Sequence, residues 1–181
     1  PQIRVAAESK KATVLDLKLY TEVLVQQQHF KLLEDFLPRL LRKNALNDTQ
    51  WQQVFLAYFA AQANDELTAK YQHLGKKLQA HAHTAYLTQM AKTGQLASIE
   101  NELIKLLKHN KQHDQLAYIL SEAAPSNAYK LQSSIQERLK KDEHNNALLL
   151  ALACLANAQG DYDLAARVFD KALNSENKAQ Y

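Results

Sequence analysis

The chain has few residues that interrupt a helix. Only three glycines and three prolines occur among its 181 residues, and these are the residue types that mark the many turns of a sheet protein. Apolar residues make up 46% of the sequence. This composition excludes a turn-rich sheet protein and predicts an all-α fold with almost no β-structure.

Other absences exclude functional classes. One cysteine, Cys154, cannot build a disulfide framework, and its apolar neighbours in sequence predict a buried small side chain rather than a reactive thiol. The longest apolar run, 147–156, is about half as long as the stretch of ~20 residues that spans a bilayer. The sequence contains no signal peptide, no serine nucleophile elbow, no phosphate-binding glycine loop and no His-Glu-x-x-His zinc motif. We therefore expect neither an enzyme nor a metal site.

The charge balance gives little support for nucleic-acid binding. The formal net charge is +3 and the pI is about 8.9, which is only mildly basic, and no recognition motif accompanies the lysines. The acidic residues are spread along predicted helices opposite lysines, as on solvated helix faces, and do not pair as catalytic carboxylates would. No nucleic-acid partner is predicted.

A pattern with a period of about 34 residues organises the chain. In its clearest copy, the apolar run 147–156 is followed by a turn at Gly160, where glycine permits a positive φ. Tyr162 opens a second helix and is expected to fill the angle between the two helices. The other pattern positions are two alanines, which let the helix axes approach closely, and an aromatic residue expected to fill the groove toward a next repeat: Ala165, Ala172 and Phe169. These residues resemble the tetratricopeptide repeat.

Weaker copies keep the same phase. The second helices are predicted to open at Phe30, near Asn64, at Leu96, near Ala128 and at Tyr162, and Gly94 is the turn of the third copy. In the second copy the large apolar positions are Trp51, Val54 and Tyr58, then Leu67, Tyr71 and Leu74. The predicted repeats are 14–47, 48–79, 80–111, 112–145 and 146–179, and 1–13 is the remnant of a preceding helix. We expect one domain, an all-α, tetratricopeptide-like α-solenoid in which about five antiparallel helix pairs form a right-handed superhelix.

Two local features modify this expectation. Pro38 lies inside the second helix of the first copy, where it removes a helical hydrogen bond and should kink or restart the helix.

The chain begins without methionine, and its last copy is expected to end near Leu173 without a polar capping helix. Further repeats are therefore expected beyond this segment, and so is self-association through the apolar flank formed by Leu164, Val168 and Leu173.

Two segments carry a more specific likeness. Residues 14–43 begin Val-Leu-Asp-Leu-Lys-Leu-Tyr and end Phe-Leu-Pro-Arg-Leu-Leu-Arg-Lys, and residues 135–152 contain Glu-Arg-Leu-Lys-Lys and Asn-Ala-Leu-Leu-Leu-Ala-Leu. Both resemble passages of the HemY family of tetratricopeptide-repeat proteins associated with heme biosynthesis. The second passage lacks the family's tryptophan, and Cys154 and Leu155 follow Ala153 where a glycine is usual. Only the first passage separates this family from other tetratricopeptide repeats.

The resemblance implies a bacterial inner-membrane protein with an amino-terminal anchor and a repeat domain facing the cytoplasm, linked to a late step of protoheme synthesis. The expected function is a non-catalytic scaffold that docks terminal heme-pathway enzymes or tetrapyrrole intermediates. No cofactor is predicted, with heme or a porphyrin retained as a candidate bound ligand. The alternative is a generic peptide-binding adaptor unrelated to heme. The flavin-dependent oxidase that shares the HemY name is excluded, because the chain has no Gly-x-Gly-x-x-Gly loop.

Histidines are the candidate ligand contacts. His81 and His113 take equivalent positions near the start of two first helices, which line the concave surface of such arrays. Thr84 and Thr88 share the helical stripe of His81, so these four residues are the predicted partner or ligand site. The alternative is that histidine is merely tolerated at exposed helix starts. His109 and His113 have metal-ligand spacing, but a turn between two repeats is predicted to separate them, so no metal site is assigned.

Cations recur in pairs near the predicted ends of the second helices. The pairs are Arg42 with Lys43, Lys76 with Lys77, Lys108 with Lys111, and Lys140 with Lys141. Each pair could simply complement the negative end of its own helix dipole. Stacked along one edge of a solenoid, they would also attract anionic membrane headgroups or the carboxylates of porphyrins and acidic partners. The second interpretation predicts a basic edge facing the membrane or an acidic partner.

Overall fold

A computed structural model describes residues 2–179. The chain divides into two compact units, Pro1–Tyr86 and Leu87–Tyr181. The first unit holds α1 (Gln2–Glu8), α2 (Val14–Gln26), α3 (Phe30–Arg42), α4 (Asp48–Ala60) and α5 (Leu67–His73), and α6 (Lys76–Lys92) contains the boundary. The second unit holds α7 (Leu96–Leu106), a 3-10 turn (Asn110–Gln112), α8 (His113–Ser121), α9 (Tyr129–Leu139), α10 (Asn146–Ala158) and α11 (Tyr162–Ala179). Since residues 2–179 contain no strand, the all-α prediction is confirmed, while the solenoid stays a prediction.

The helix bounds correct one predicted repeat boundary. The sequence pattern placed a boundary between residues 79 and 80, but α6 already begins at Lys76. The reason is local, because the carbonyl of Gly75 accepts the first bond of the new helix, from the N–H of Gln79 at 2.9 Å. Helix α5 is correspondingly short.

Side chains fix the starts of several helices. The N–H of Asp16 donates to the Thr13 hydroxyl while its carboxylate accepts from the N–H of Thr13, and Asn47 and Gln50 make the same reciprocal pair at α4. These bonds, first from the backbone of Thr13 and then from its hydroxyl, hold the pKa of the Asp16 carboxyl below its ordinary value. The Asn145 side chain accepts from the start of α10. Capping explains why these helices begin where they do.

Four helices end in one kind of backbone turn. A residue with positive φ follows the helix, and its N–H and the next N–H donate to carbonyls three and five residues earlier, at 2.9–3.1 Å. The positive-φ residues are Gln28 (57°), Asn44 (48°), Gly94 (76°) and Gly160 (81°). The predicted turns at Gly94 and Gly160 are therefore confirmed, and Gln28 takes the same place in the first pair without being glycine.

The other two helix pairs have longer connections. Residues 61–66 link α4 to α5, and residues 122–128 link α8 to α9. The second helix of the second copy therefore opens at Leu67 and not near Asn64, whereas α9 opens at Tyr129, next to Ala128 as predicted. The connection before α5 is not the tight turn that the repeat pattern assumes, which explains the late start of that helix.

The connection 122–128 is bonded to other parts of its own unit. The Ser126 hydroxyl donates to the carbonyl of Gly94 (3.1 Å) and accepts from the N–H of Leu96 (3.2 Å), and the N–H of Ser126 donates to Ala158 (2.9 Å). A Cβ on Gly94 would lie 3.3 Å from the carbonyl oxygen of Pro125. Gly94 is thus required both by its positive φ and by this close approach.

Aromatic rings fill the core of the first unit. Trp51, Phe55 and Phe59 stack in succession along α4, with ring centroids 5.6 and 5.9 Å apart. Tyr71 stacks face to face on Tyr86 at 4.2 Å. Trp51, Val54 and Tyr58 are buried as the pattern predicts, as are Leu67 and Leu74, while Tyr71 is half-buried.

Small aliphatic residues fill the core of the second unit around α10 and α11. Most of α10 is buried, and Ala165 (4% exposed) and Ala172 (2%) face the core, as predicted. The role assigned to Tyr162 is wrong, because its ring is 67% exposed. Phe169 is likewise exposed. Tyr162 is the first residue of α11, one turn before Ala165, the first residue of that helix to be buried.

Two further expectations are revised. Helix α3 runs unbroken from Phe30 to Arg42, so Pro38 does not restart it, and the kink stays a prediction. Pro38 is exposed, so water can solvate the carbonyl of Glu34 that the proline leaves without a helical donor. Helix α11 does not end near Leu173 but continues to Ala179. Of the predicted apolar flank, Leu173 is 59% exposed, Leu164 is half-buried and Val168 is buried.

No helix between residues 2 and 179 is both long enough and apolar enough to cross a bilayer.

Candidate functional site

A cleft between α2 and α4 is the strongest candidate site in the first unit. Its volume is about 240 Å3. The floor is apolar, with Leu46 and Val54 buried, and the walls are polar. The wall side chains are Lys18, Thr21, Glu22, Gln26, Gln50 and Gln53.

Some of these polar groups already serve the fold, and others are unused. Thr21 donates to the carbonyl of Leu17 (2.8 Å) and Gln50 belongs to the α4 cap. Within the described part of the chain, no hydrogen bond or ion pair occupies the side chains of Gln26, Gln53, Lys18 or Glu22. The cleft thus offers two amides and two opposite charges to a ligand.

A second cleft adjoins the first and brings His81 to it. It measures about 390 Å3 and shares Lys18 and Leu46 with the first cleft. His81 stacks on Trp51 with ring centroids 4.9 Å apart and planes at 17°. The imidazole is therefore held in place by the aromatic core while it lines the cleft. The remaining lining residues are Val14, Asn44, Ala45, Asn47 and Asp48.

Two of the other predicted ligand contacts do not lie on an accessible surface. Thr88 is 0% exposed and His113 is 2% exposed, so neither can meet a partner, and Thr84 is half-buried. Thr88 lies on nearly the same face of α6 as His81, but at its position that face is fully buried. His81 is the member of the predicted set that lines a cleft.

His113 has a structural role that sequence reasoning missed. Its Nε2 lies 3.2 Å from the carbonyl oxygen of Leu107, and its Nδ1 lies 3.2 Å from the amide nitrogen of Asn145. This pairing assigns the proton to Nε2, with Nδ1 accepting from the Asn145 amide. The interpretation of His113 as an exposed helix-start residue is therefore also wrong. The 3-10 turn Asn110–Gln112 separates His109 from His113, as predicted.

The basic pairs are not all at the ends of second helices. Arg42 and Lys43 end α3, and Lys140 and Lys141 follow α9. Lys108 follows α7 and Lys111 lies in the 3-10 turn. Lys76 and Lys77, however, are the first two residues of α6, where a helix dipole disfavours cations. The helix dipole therefore does not account for this pair, because α5 stops at His73.

A cationic cleft lies in the second unit between the end of α7, the 3-10 turn and α9. It consists of two adjoining recesses of about 400 and 620 Å3 that share Lys108 and Arg138. Lys111 and Lys141 also line it, and its apolar lining is Ile104 and Leu107. The polar residues are Ser133, Ser134, Glu137, His109, Asn110 and Gln112. We call this set the α7–α9 cleft.

A half-buried polar cluster was also missed from the sequence. In the first unit, the Tyr58 hydroxyl donates to Glu34 (2.7 Å) and Lys70 donates to the same carboxylate oxygen (3.0 Å). Burial raises the pKa of Tyr58, and its bond to the Glu34 carboxylate raises it further. Burial also raises the pKa of Glu34, but the bonds from Tyr58 and Lys70 and the charges of Lys70 and Lys31 outweigh it, so that pKa lies below its ordinary value. The partners are 24 and 36 residues apart, which no local pattern reveals.

Neither metal nor thiol chemistry has a built site in the described residues. No group of three His, Cys, Asp or Glu side chains converges between residues 2 and 179. Cys154 is half-buried, and burial raises the pKa of its thiol, so the thiol is protonated near neutral pH.

No protein-family model, curated protein or solved structure matches the chain. Family membership therefore rests on the resemblance of residues 14–43 and 135–152, and it stays a prediction.

Proposed function

We propose that this chain is a non-catalytic binding scaffold whose α2–α4 cleft takes an extended segment of a partner protein. The observation that carries the proposal is the pair of adjoining clefts, where unused amides and charges surround an apolar floor. An extended peptide presents main-chain N–H and C=O groups in alternation, and each Gln side chain offers both a donor and an acceptor. Lys18 and Glu22 add charge selectivity.

The proposal includes a tetratricopeptide-like solenoid. Its support is the recurrence of one turn geometry at Gln28, Gly94 and Gly160, which are equally spaced along the chain. Repeats of this kind commonly present their first helices to ligands, and α2 and α4 are first helices of the predicted pairs.

A protein segment suits these clefts better than a tetrapyrrole does. The ring of a porphyrin is flat and largely apolar, and it would leave the amides of Gln26, Gln53 and Asn44 unpaired when it covered them. The His81 ring is already stacked on Trp51. Docking of a pathway enzyme is therefore the favoured part of the heme hypothesis, and direct binding of heme or a porphyrin is the weaker part.

The identity of the partner comes from the resemblance to the HemY family. On that basis we propose terminal heme-pathway enzymes as partners, and attachment of the whole protein to the bacterial inner membrane by an amino-terminal anchor, with this domain facing the cytoplasm. The alternative is an adaptor for unrelated peptides that uses the same cleft.

Co-purification of the full-length protein from its native membrane tests the proposal. Recovery of heme-pathway enzymes supports the heme assignment, whereas recovery of an unrelated client set supports the adaptor. In either case the double variant Gln26→Ala with Gln53→Ala should lose the partner. The matched variant Gln72→Ala with Gln136→Ala changes two exposed amides elsewhere and should retain it. Equal recovery with both variants would refute the cleft assignment.

A further inference from the structure

The α7–α9 cleft concentrates positive charge that the chain does not neutralise. Among the described residues, Lys108, Lys111 and Lys141 make no ion pair within 4.0 Å, and Arg138 reaches only the Asn110 amide at 3.5 Å. Glu137 is the one carboxylate lining the described cleft, and it is paired with Lys140. That pairing, chiefly the hydrogen bond from Lys140, lowers the pKa of Glu137, and the charge of Lys141 lowers it further. Glu137 is thus engaged mainly with a cation outside the cleft and offsets only part of the charge of Lys141.

Helix dipoles do not account for this charge. Helices α7 and α9 both end at the cleft, and each carboxyl end carries about half a negative charge. Four full positive charges from Lys108, Lys111, Arg138 and Lys141 exceed that compensation. Like charges that line one cleft repel one another, and a bound anion would relieve the repulsion.

The shape and chemistry of the cleft select the anion. The cations line recesses together with Leu107, which is buried, and with Ser133 and Ser134 of α9. The Ser133 hydroxyl already donates to the carbonyl of Tyr129 (3.1 Å). A side chain projecting from a peptide can contact both the cations and the apolar lining of these shallow recesses, whereas anionic headgroups complement only the charge. Single-stranded nucleic acid binds through aromatic stacking platforms, and His109 is the sole ring among the described residues lining these recesses.

We infer that the α7–α9 cleft docks an acidic segment of a partner protein, with Asp or Glu carboxylates paired to Lys108, Arg138 and Lys141. Carboxylates accept two bonds from the guanidinium fork of Arg138 and single bonds from the lysines. The cleft lies in the second unit, and its occupancy does not depend on the α2–α4 cleft.

A charge-matched pair of variants tests this inference. The probe is a labelled, end-capped peptide of alternating Glu and Ser, and its binding to the 181-residue chain is followed by fluorescence anisotropy. Lys108→Gln, Arg138→Gln and Lys141→Gln together should weaken binding about tenfold, as expected for the loss of three ion pairs. The control Lys130→Gln, Arg167→Gln and Lys171→Gln removes the same charges from exposed positions of the same unit and should change the affinity less than about twofold.

Further measurements test whether the cleft recognises the carboxylates of a peptide or binds any anion, such as a membrane surface or a nucleic acid. A peptide with Gln in place of Glu should not bind, and salt should weaken binding of the Glu peptide. The double variant Lys108→Gln with Lys141→Gln changes only exposed side chains, so the test survives if the triple variant misfolds. Equal weakening by cleft and control variants would reduce the effect to net charge and overturn the inference. Anionic vesicles or single-stranded DNA could bind more tightly than the peptide and lose that binding in the cleft variant. This result would overturn the choice of partner.

Discussion

Gln28 carries a backbone conformation that its side chain disfavours. It has φ 57° in a turn where the third and fifth pairs have glycine. For an L-residue with a Cβ the left-handed region costs about 1–2 kcal/mol, while for glycine it does not. The side chain is exposed, so its removal costs no packing.

Gln28→Gly should therefore stabilise the protein by about 1 kcal/mol. The control is Gln27→Gly, at a neighbour with φ −88°, which should destabilise it because glycine gains nothing there. Urea unfolding of both variants and the parent gives the comparison. A Gln28→Gly variant no more stable than Gln27→Gly would contradict the strain argument.

The Tyr58–Glu34 bond makes a pH-dependent contribution to stability. Because the pKa of Glu34 is depressed in the folded state, its contribution is present above the ordinary carboxyl pKa of about 4.3 and is lost as the pH falls through the lower folded pKa. Tyr58→Phe should cost about 1 kcal/mol near neutral pH, a value reduced because Glu34 is about a third exposed. The cost should shrink below about pH 4.

Unfolding midpoints in urea on either side of this pH window measure the effect. Tyr118→Phe, whose parent side chain is 45% exposed, is the control and should be near neutral throughout. A cost of Tyr58→Phe that does not change with pH would mean that the hydroxyl acts through packing and not through the carboxylate.

At the scale of helices, α11 packs against the core of the second unit through one face, and neighbouring residues of the helix lie on or off that face. Ala165 is 4% exposed, whereas its neighbour Ala166 is exposed on the same helix. Ala165→Leu should overpack this contact and cost about 1–3 kcal/mol. Ala166→Leu adds the same atoms toward solvent and should change stability by less than about 0.5 kcal/mol. Equal stability of the two variants by urea unfolding would refute the assigned helix face.

The elements that the sequence predicts well are those with a local chemical signal. Gly94 and Gly160 mark their turns because glycine tolerates positive φ, and the alanines of α11 mark a close helix contact. Gln28 was missed because glutamine has no preference for that conformation. The early start of α6 was missed because the strict period outweighed the signal of Gly75.

The candidate site was predicted only in part, for a related reason. His81 was identified by its phase along the repeat, but His113 is buried in contact with Asn145, 32 residues away, which no local pattern signals. The α7–α9 cleft contains three lysines of the predicted basic edge, while Arg138 and the serines join it only through the packing of α9. Spatial convergence of distant residues leaves no trace in a single sequence.

At the scale of the whole molecule, α11 presents an apolar stripe to solvent. Tyr162 is 67% exposed, Phe169 37% and Leu173 59%, and their spacing places them on one helix face. Exposed apolar stripes of this kind favour contact with a second molecule. The expected self-association through the last helix pair therefore has a more specific location than the flank predicted from sequence.

Phe169→Glu with Leu173→Glu should shift the protein toward monomer, and sedimentation equilibrium over a range of concentrations measures the shift. Tyr118→Glu with Tyr129→Glu places the same charges at exposed aromatic positions elsewhere in the second unit and should leave the association unchanged. A parent chain that is monomeric at every concentration would contradict this prediction.

The connection 122–128 has a consequence for where the chain tolerates new ends. Its sequence, Glu-Ala-Ala-Pro-Ser-Asn-Ala, suggests a dispensable linker, yet Ser126 joins the turn after α6 to the end of α10. A proteolytic nick at this connection would release Ser126 from those bonds within the second unit. Residues 61–66 are mostly exposed, and opening the chain there leaves the core elements intact. The connection 122–128 thus stabilises the second unit, whereas the connection 61–66 is the position where we expect a chain break to be tolerated.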